Sequence, residues 1–196
     1  MGTIVIDEEY DRYRHILKTD ISAKRYAHSI SVSNTAACLA MRYGCDIRKA
    51  YIAGLVHDCA KGMKPSELLE TVKREGYEPT DIQLDNPELL HALAGSIVAR
   101  DKYGITDSGI LSAVRYHTTG RPGMTDLEEI IFTADYIEPN RSSIPELDRI
   151  RQTAFSDIDE AVALICRNTL DYLDGNKTTV DRMTVETYEY YCKHIK

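Results

Sequence analysis

The sequence predicts an all-α fold, a helical bundle, and three observations predict it. No stretch alternates apolar and polar residues with the period of two that a half-buried strand requires. Apolar residues recur instead at helical spacing, between capping residues and glycine or proline stops. With no Trp and only 2 Phe, the interior must be filled by Leu, Ile, Val, Ala and Tyr, an inventory that favours packed helices over an aromatic-rich β-sandwich. A chain of 196 residues can build one substantial core, and no repeat, low-complexity run or composition shift marks a second domain. A single domain over 1–196 is expected, with its chemistry in a core at about 22–141 and C-terminal helices at about 145–194 packed on it.

The elements follow from their punctuation. Segments near 7–18, 22–43 and 46–58 come first, with Ser22 and Asp46 as caps and Gly44 as a stop. Pro65 opens a helix to about Glu75, where Gly76 ends it; residues 76–85 read as a polar loop or lid. Asn86 before Pro87 reads as a cap for a helix over 87–102, and Asp107 or Ser108 starts the next, which ends near His117. Gly120, Pro122 and Gly123 make 118–123 a loop. A helix over 126–137 stops before Pro139, Pro145 opens another, and two more are expected near 157–173 and 181–194. In the last of these, Tyr188, Tyr190 and Tyr191 either cover the core or form a homodimer surface.

Composition excludes several functions. A net charge of −7 argues against a nucleic-acid or anionic-membrane surface, since those are held by summed Lys and Arg contacts. The first ten residues are acidic where a signal peptide is basic, and no run approaches the roughly 20 apolar residues of a membrane span, so a cytoplasmic protein is expected. Cys38, Cys45, Cys59, Cys166 and Cys192 form no CxxC pair and, being 5 in number, no complete disulfide framework. They read as reduced thiols, with Cys59 alone beside candidate chemistry.

That chemistry begins with His57-Asp58, which ends the apolar run from Ala50 to Val56 and so emerges from a buried helix. Helical spacing turns other ligand-type side chains inward as well. His28 shares a face with Val32, Ala36 and Leu39, and His117 with Ile110, Ala113 and Val114. His91 aligns with Ala94, Gly95 and Val98, whose small members admit a close neighbour, and Asp135 follows Leu127 and Ile131. Each alone reads as a hydrogen-bonded core residue, but together, while His15 and His194 lie near the chain ends without such company, they ask for compensation by cations. Six N/O ligands exceed the needs of one four-coordinate hydrolytic ion and suit two, bridged by Asp58, holding a hydroxide that can attack phosphorus. Imidazole and carboxylate without thiolate fit Fe, Mn, Co or Zn. Arg25 and Lys61, followed by Thr118, Thr119, Arg121 and Arg141, supply donors for a phosphate.

The order His28, His57-Asp58, Asp135 resembles the H…HD…D signature of the HD-domain superfamily of metal-dependent phosphohydrolases. The strings Ala50 to Lys61, Leu89 to Ala92, Tyr116 to Gly120 and Ala134 to Arg141 resemble the YqeK family of bacterial symmetrical diadenosine tetraphosphate hydrolases, over roughly residues 10–190. The resemblance implies an HD-type helical bundle, a dinuclear centre with iron as its expected metal, and cleavage of diadenosine tetraphosphate (Ap4A) into two nucleoside diphosphates. It places His28, His57, Asp58 and Asp135 on one metal, and His91 and His117 on the other with Asp58 bridging. Asp58 and Lys61 are then the catalytic pair, Lys61 stabilising charge on the phosphate or assisting the leaving group. Three other readings share these residues: a less selective nucleotidase acting on mononucleotides, a di-iron oxygenase, and a non-catalytic nucleotide-binding module.

Overall fold

The structure, a computed structural model, describes residues 8–176 and 180–194, and among them there is no strand. The helices are α1 (Glu8–Asp20), α2 (Ala23–Tyr43), α3 (Ile47–Val56), α4 (Pro65–Arg74), α5 (Asp81–Asp85), α6 (His91–Asp101), α7 (Ser108–Tyr116), α8 (Asp126–Ile137), α9 (Leu147–Ala154), α10 (Ile158–Gly175) and α11 (Arg182–His194). The all-α expectation holds. The opening residues 1–7, part of the stretch read for targeting, and the His194 side chain lie outside the described residues; within them, no helix is long and apolar enough to cross a membrane.

Local signals start most helices where they were expected. Ser22 accepts from the Arg25 backbone N–H, Asp46 from that of Lys49 and Asp107 from that of Ile110, each filling a donor the first turn leaves unpaired. Gly44 ends α2 in the left-handed region at φ +72°, where a side chain would be strained, and its N–H reaches the Ala40 carbonyl. Three expectations are corrected. Residues 81–85 are helical, because Thr80 and Gln83 close a reciprocal capping box. Asn86 makes no side-chain cap; a 3-10 turn, Pro87–Leu90, intervenes before α6 starts at His91. The helix after Pro145 starts at Leu147, its preceding residue Glu146 held at φ +54° while its carboxylate receives Arg149 and Arg167.

Helices α2 and α3 pack along each other, with α7 and α8 closing over them; α10 then covers α8 and carries α9 and α11. The core between them holds Leu17, Leu39, Leu55, Ile130, Ile131 and Ile165, each worth about 1.5–3 kcal/mol in burial. A smaller cluster of Leu68, Val72, Leu90, Ala94 and Ile97 ties α4 to α6. In α11, Tyr191 is buried with its hydroxyl donating to Glu129 at 2.6 Å, while Tyr188 and Tyr190 pack partly buried on the core, so this face covers the core.

Glycines set how closely the site-bearing helices approach. A Cβ at Gly54 would lie 2.9 Å from the Ser33 Cα of α2, a backbone atom that cannot swing aside. Gly54→Ala must therefore push α3 off α2, and the expected loss is about 1–3 kcal/mol of stability. Chemical denaturation measures it; an unchanged midpoint would show that the two helices do not need this contact.

Candidate metal centre

Five elements bring one polar side chain or pair each to a single point. His28 comes from α2, His57 and Asp58 from the turn that ends α3, His91 from the first residue of α6, His117 from just beyond α7, and Asp135 from the last turn of α8. Helix ends suit this role, since their last carbonyls lack partners within the helix. His57 and His117 use those carbonyls: each Nδ1 donates to the residue three positions back, Gly54 and Val114, at 2.7 Å. His91 does the same to Glu88 in the 3-10 turn, also at 2.7 Å. His28 Nδ1 donates instead to the Glu138 carboxylate at 3.2 Å.

A carbonyl oxygen can only accept, so in His57, His91 and His117 the proton sits on Nδ1 and Nε2 is left as a lone pair, whereas His28 has a carboxylate at each ring nitrogen and can donate to both Glu138 and Asp135. These three lone pairs face the same space, and His28 Nε2 points into it. His91 and His117 bring theirs within 3.3 Å of each other, and His28 Nε2 lies 3.0 Å from Asp135 Oδ1. The two Asp58 oxygens divide the cluster: Oδ1 is 3.5 Å from both His91 and His117, and Oδ2 is 3.8 Å from His57. His57 Nε2 is also 3.8 Å from Asp135 Oδ1, and it is fully buried with no hydrogen-bond partner.

Lone pairs and carboxylate oxygens crowded in this way need positive charge beside them; Arg25, Arg141 and Lys61 supply some to Asp58, Asp135 and His91 but leave His57 Nε2 unpaired. Two ligands bonded at about 2.0–2.2 Å to one ion lie about 3–3.5 Å apart, close to the separations here. Three overlapping triads could each hold a cation: His28-His57-Asp58, His57-His117-Asp135 and Asp58-His91-His117. The donor set fits a metal, and the unpartnered His57 nitrogen is the observation that a purely hydrogen-bonded core leaves unexplained.

The electrostatics of His57, His91 and the carboxylates agree with ligand forms, whereas His28 is shifted the other way: burial lowers its pKa, but Asp135 and Glu138 raise it above the ordinary imidazole range. Burial pushes His57 below the ordinary imidazole range, and burial with the neighbouring His117 and Lys61 pushes His91 down to about 3, so both rings are neutral at neutral pH. Burial opposes ionisation of Asp58, but the surrounding imidazoles hold its carboxyl well below the usual carboxylate range. Asp135 behaves likewise through His28, His57 and Arg141.

The centre floors a cleft of about 730 Å³. Of the phosphate donors expected, Arg25, Lys61, Thr118 and Arg141 line it. Arg25 donates to Asp58 at 2.9 Å, Arg141 to Asp135 at 2.7 Å, and Lys61 Nζ lies 3.2 Å from the His91 ring nitrogens. Arg121 is not brought to the cleft. Its guanidinium forks onto the buried Glu128 at 2.7 and 3.1 Å, because that carboxylate needs a partner more than a solvated substrate does. His15 is exposed. Cys59 is buried with its thiol on the Gly95 carbonyl, and burial raises its pKa, so it remains a protonated space-filler.

The residue that sequence reasoning missed is Glu138. It is buried, and although burial opposes its ionisation, hydrogen bonds from Ser31, the Asn140 backbone and His28 hold its carboxyl below the usual range. A signal was present: Glu138 follows Asp135 by three residues, on the same helical face, just before Pro139.

Fold and site together define an all-helical metal-binding protein with a cationic cleft over its centre. The chain belongs to the HD domain family, whose model matches residues 25–140. It is 41% identical over 174 residues to the symmetrical bis(5'-nucleosyl)-tetraphosphatase of Bacillus subtilis (strain 168), covering 89% of this chain and 92% of that one. It is 40% identical to the corresponding protein of Halalkalibacterium halodurans, covering 88% and 91%. It also superposes with a TM-score of 0.91 and 40% identity on the crystal structure of a protein from Clostridium acetobutylicum described as a predicted HD superfamily hydrolase involved in NAD metabolism, over 95% of this chain and 98% of that one.

Because Glu138 orients a ring rather than meeting the ion, Glu138→Gln should weaken metal affinity by about 10–100-fold while leaving helix content intact. Competition titration against a chelating indicator measures this; wild-type affinity in the variant would remove Glu138 from the centre.

Proposed function

We propose that this chain is a symmetrical dinucleoside tetraphosphatase, cutting diadenosine tetraphosphate into two ADP at a centre of two metal ions, iron foremost and Mn, Co or Zn as alternatives. The observation that carries the reading is the cluster of inward Nε2 lone pairs and shared Asp58 oxygens beneath a cleft edged by Arg25, Lys61 and Arg141. Its family supports the choice of substrate, since tetraphosphatases with this specificity match nearly the full length. Residues 1–196 act as one unit, in the cytoplasm, on a small nucleotide rather than on nucleic acid or membrane, in keeping with the net charge of −7.

The roles follow from position. His28, His57, Asp58 and Asp135 would hold one ion and His91 and His117 the other, with the two Asp58 oxygens placed between the groups. When bound, the ions neutralise phosphoryl charge and acidify a water for attack on phosphorus. Arg25 and Arg141, each engaged with a ligand carboxylate, keep donors at the cleft edge that a polyphosphate can share. Burial lowers the pKa of Lys61, which readies its ammonium both to neutralise charge developing on the phosphate and to give a proton to the departing oxygen. Thr118, 3.2 Å from His91, adds a hydroxyl on the far rim.

Chromatography of the products tests the reaction: ADP alone is expected from metal-loaded protein and diadenosine tetraphosphate, whereas AMP with ATP, or free phosphate, contradicts it. Lys61→Ala should lower kcat by about 10²–10³-fold, and an unchanged kcat would leave the ammonium without a chemical role. The two arginines should separate. Arg25→Ala is expected to raise KM for the tetraphosphate, while Arg121→Ala, which strands the buried Glu128, should lower the melting temperature and spare KM. Equal effects of both on KM would contradict this assignment.

A further inference from the structure

A symmetrical substrate carries a nucleoside at each end, and a cut at its midpoint needs the metal centre to lie between two nucleoside sites. The large cleft accounts for one flank, through α2 and residues 138–142. A second cavity of about 360 Å³ is lined by the chain neighbours of His91 and His117, namely Leu90, Ala92, Tyr116 and Thr118, and by no residue of α2 or of 138–142. We propose that this cavity receives one adenosine of the dinucleoside substrate, an inference that rests on the function proposed above.

Three features point to a nucleoside as occupant. The first is continuity: Thr118 lines both cavities, and its hydroxyl is 3.2 Å from His91 Nε2, so the mouth of the second cavity is one side chain from the centre. The second is the character of the walls. Leu89, Leu90, Leu93 and Ile82 present apolar surface, with Tyr77 as an aromatic face and Tyr116, over whose ring Arg115 and Arg121 lie, beside it, a combination on which a base stacks without needing a fixed sequence of hydrogen bonds. Leu89 is 37% exposed, an apolar side chain left open where most of its kind are buried.

The third is the placement of donors. Gln83 accepts from the Tyr77 hydroxyl and the Thr80 backbone with its carbonyl oxygen, so the group it has left to offer is its –NH2, which a ring nitrogen of a base can accept. Arg115 lies over the Tyr116 ring at 5.4 Å, extending the stacking surface with a charge suited to the phosphate end of a nucleotide. The short helix α5, formed by the capping box of Thr80 and Gln83, thus has a use: it sets Ile82 and Gln83 along the edge of this cavity.

The test compares diadenosine tetraphosphate with adenosine 5'-tetraphosphate, which keeps the phosphate chain and lacks the second nucleoside. Ile82→Asp and, independently, Arg115→Glu, both outside the metal cluster, are assayed on the metal-loaded full chain. The ratio of kcat/KM for the dinucleoside to that for the mononucleoside should fall by about tenfold in each variant. A ratio equal to wild type in both, with the dinucleoside still cut, overturns the subsite and leaves the proposed function standing. A wild-type protein that leaves diadenosine tetraphosphate intact overturns the function, and this subsite with it.

Discussion

The constraint on which the rest depends is that four imidazoles are pinned by their Nδ1 atoms so that their Nε2 atoms and two carboxylates face one another. Inside a protein an unpaired acceptor is costly, and His57 Nε2, fully buried without a partner, carries that cost in its plainest form. The pinning is local and inexpensive, since Gly54, Glu88 and Val114 offer carbonyls in the same turn as the histidine that takes them. What is not local is the meeting of five elements, which requires the hydrophobic core to hold them together against that cost. A cation removes it, and the bundle and the ion then stabilise each other.

The helical framework is shaped to that purpose. Gly54 lets α3 lie against the Ser33 backbone, and Gly95 packs α6 against the His57 carbonyl and Val114. A larger residue at Gly54 would move His57 and Asp58 away from His28. The charged rim follows from the same geometry, because Arg25, Lys61 and Arg141 all approach ligand carboxylates or rings. Cations that temper the centre in the absence of substrate are thereby the cations nearest an incoming phosphate.

Much of this was legible in the sequence. His28, His117 and Asp135 could be turned inward by helical periodicity, and His91 by the small residues on its face, because burial follows a regular spacing that ligand-type residues interrupt visibly. The capping residues marked most helix starts for an equally local reason. What escaped depended on partners distant in the chain or on competition between them. Arg121 looked like a phosphate donor until Glu128, buried and in need of charge, claimed it. Glu138 was overlooked because its role lies in a contact with His28, across 110 positions of chain. The 3-10 turn before His91 and the helix at 81–85 were hidden by short-range competition between Asn86, Pro87 and the Thr80 box, where propensity alone gives no winner.

Anomalous diffraction from crystals grown of protein purified without chelator tests the central claim most directly. The account predicts two peaks flanking Asp58, about 3.5–4 Å apart, one of them within bonding distance of His57 Nε2. Full occupancy of the space by water or a protein side chain, with no anomalous signal at any transition-metal edge after soaking in Fe, Mn or Co, would contradict it.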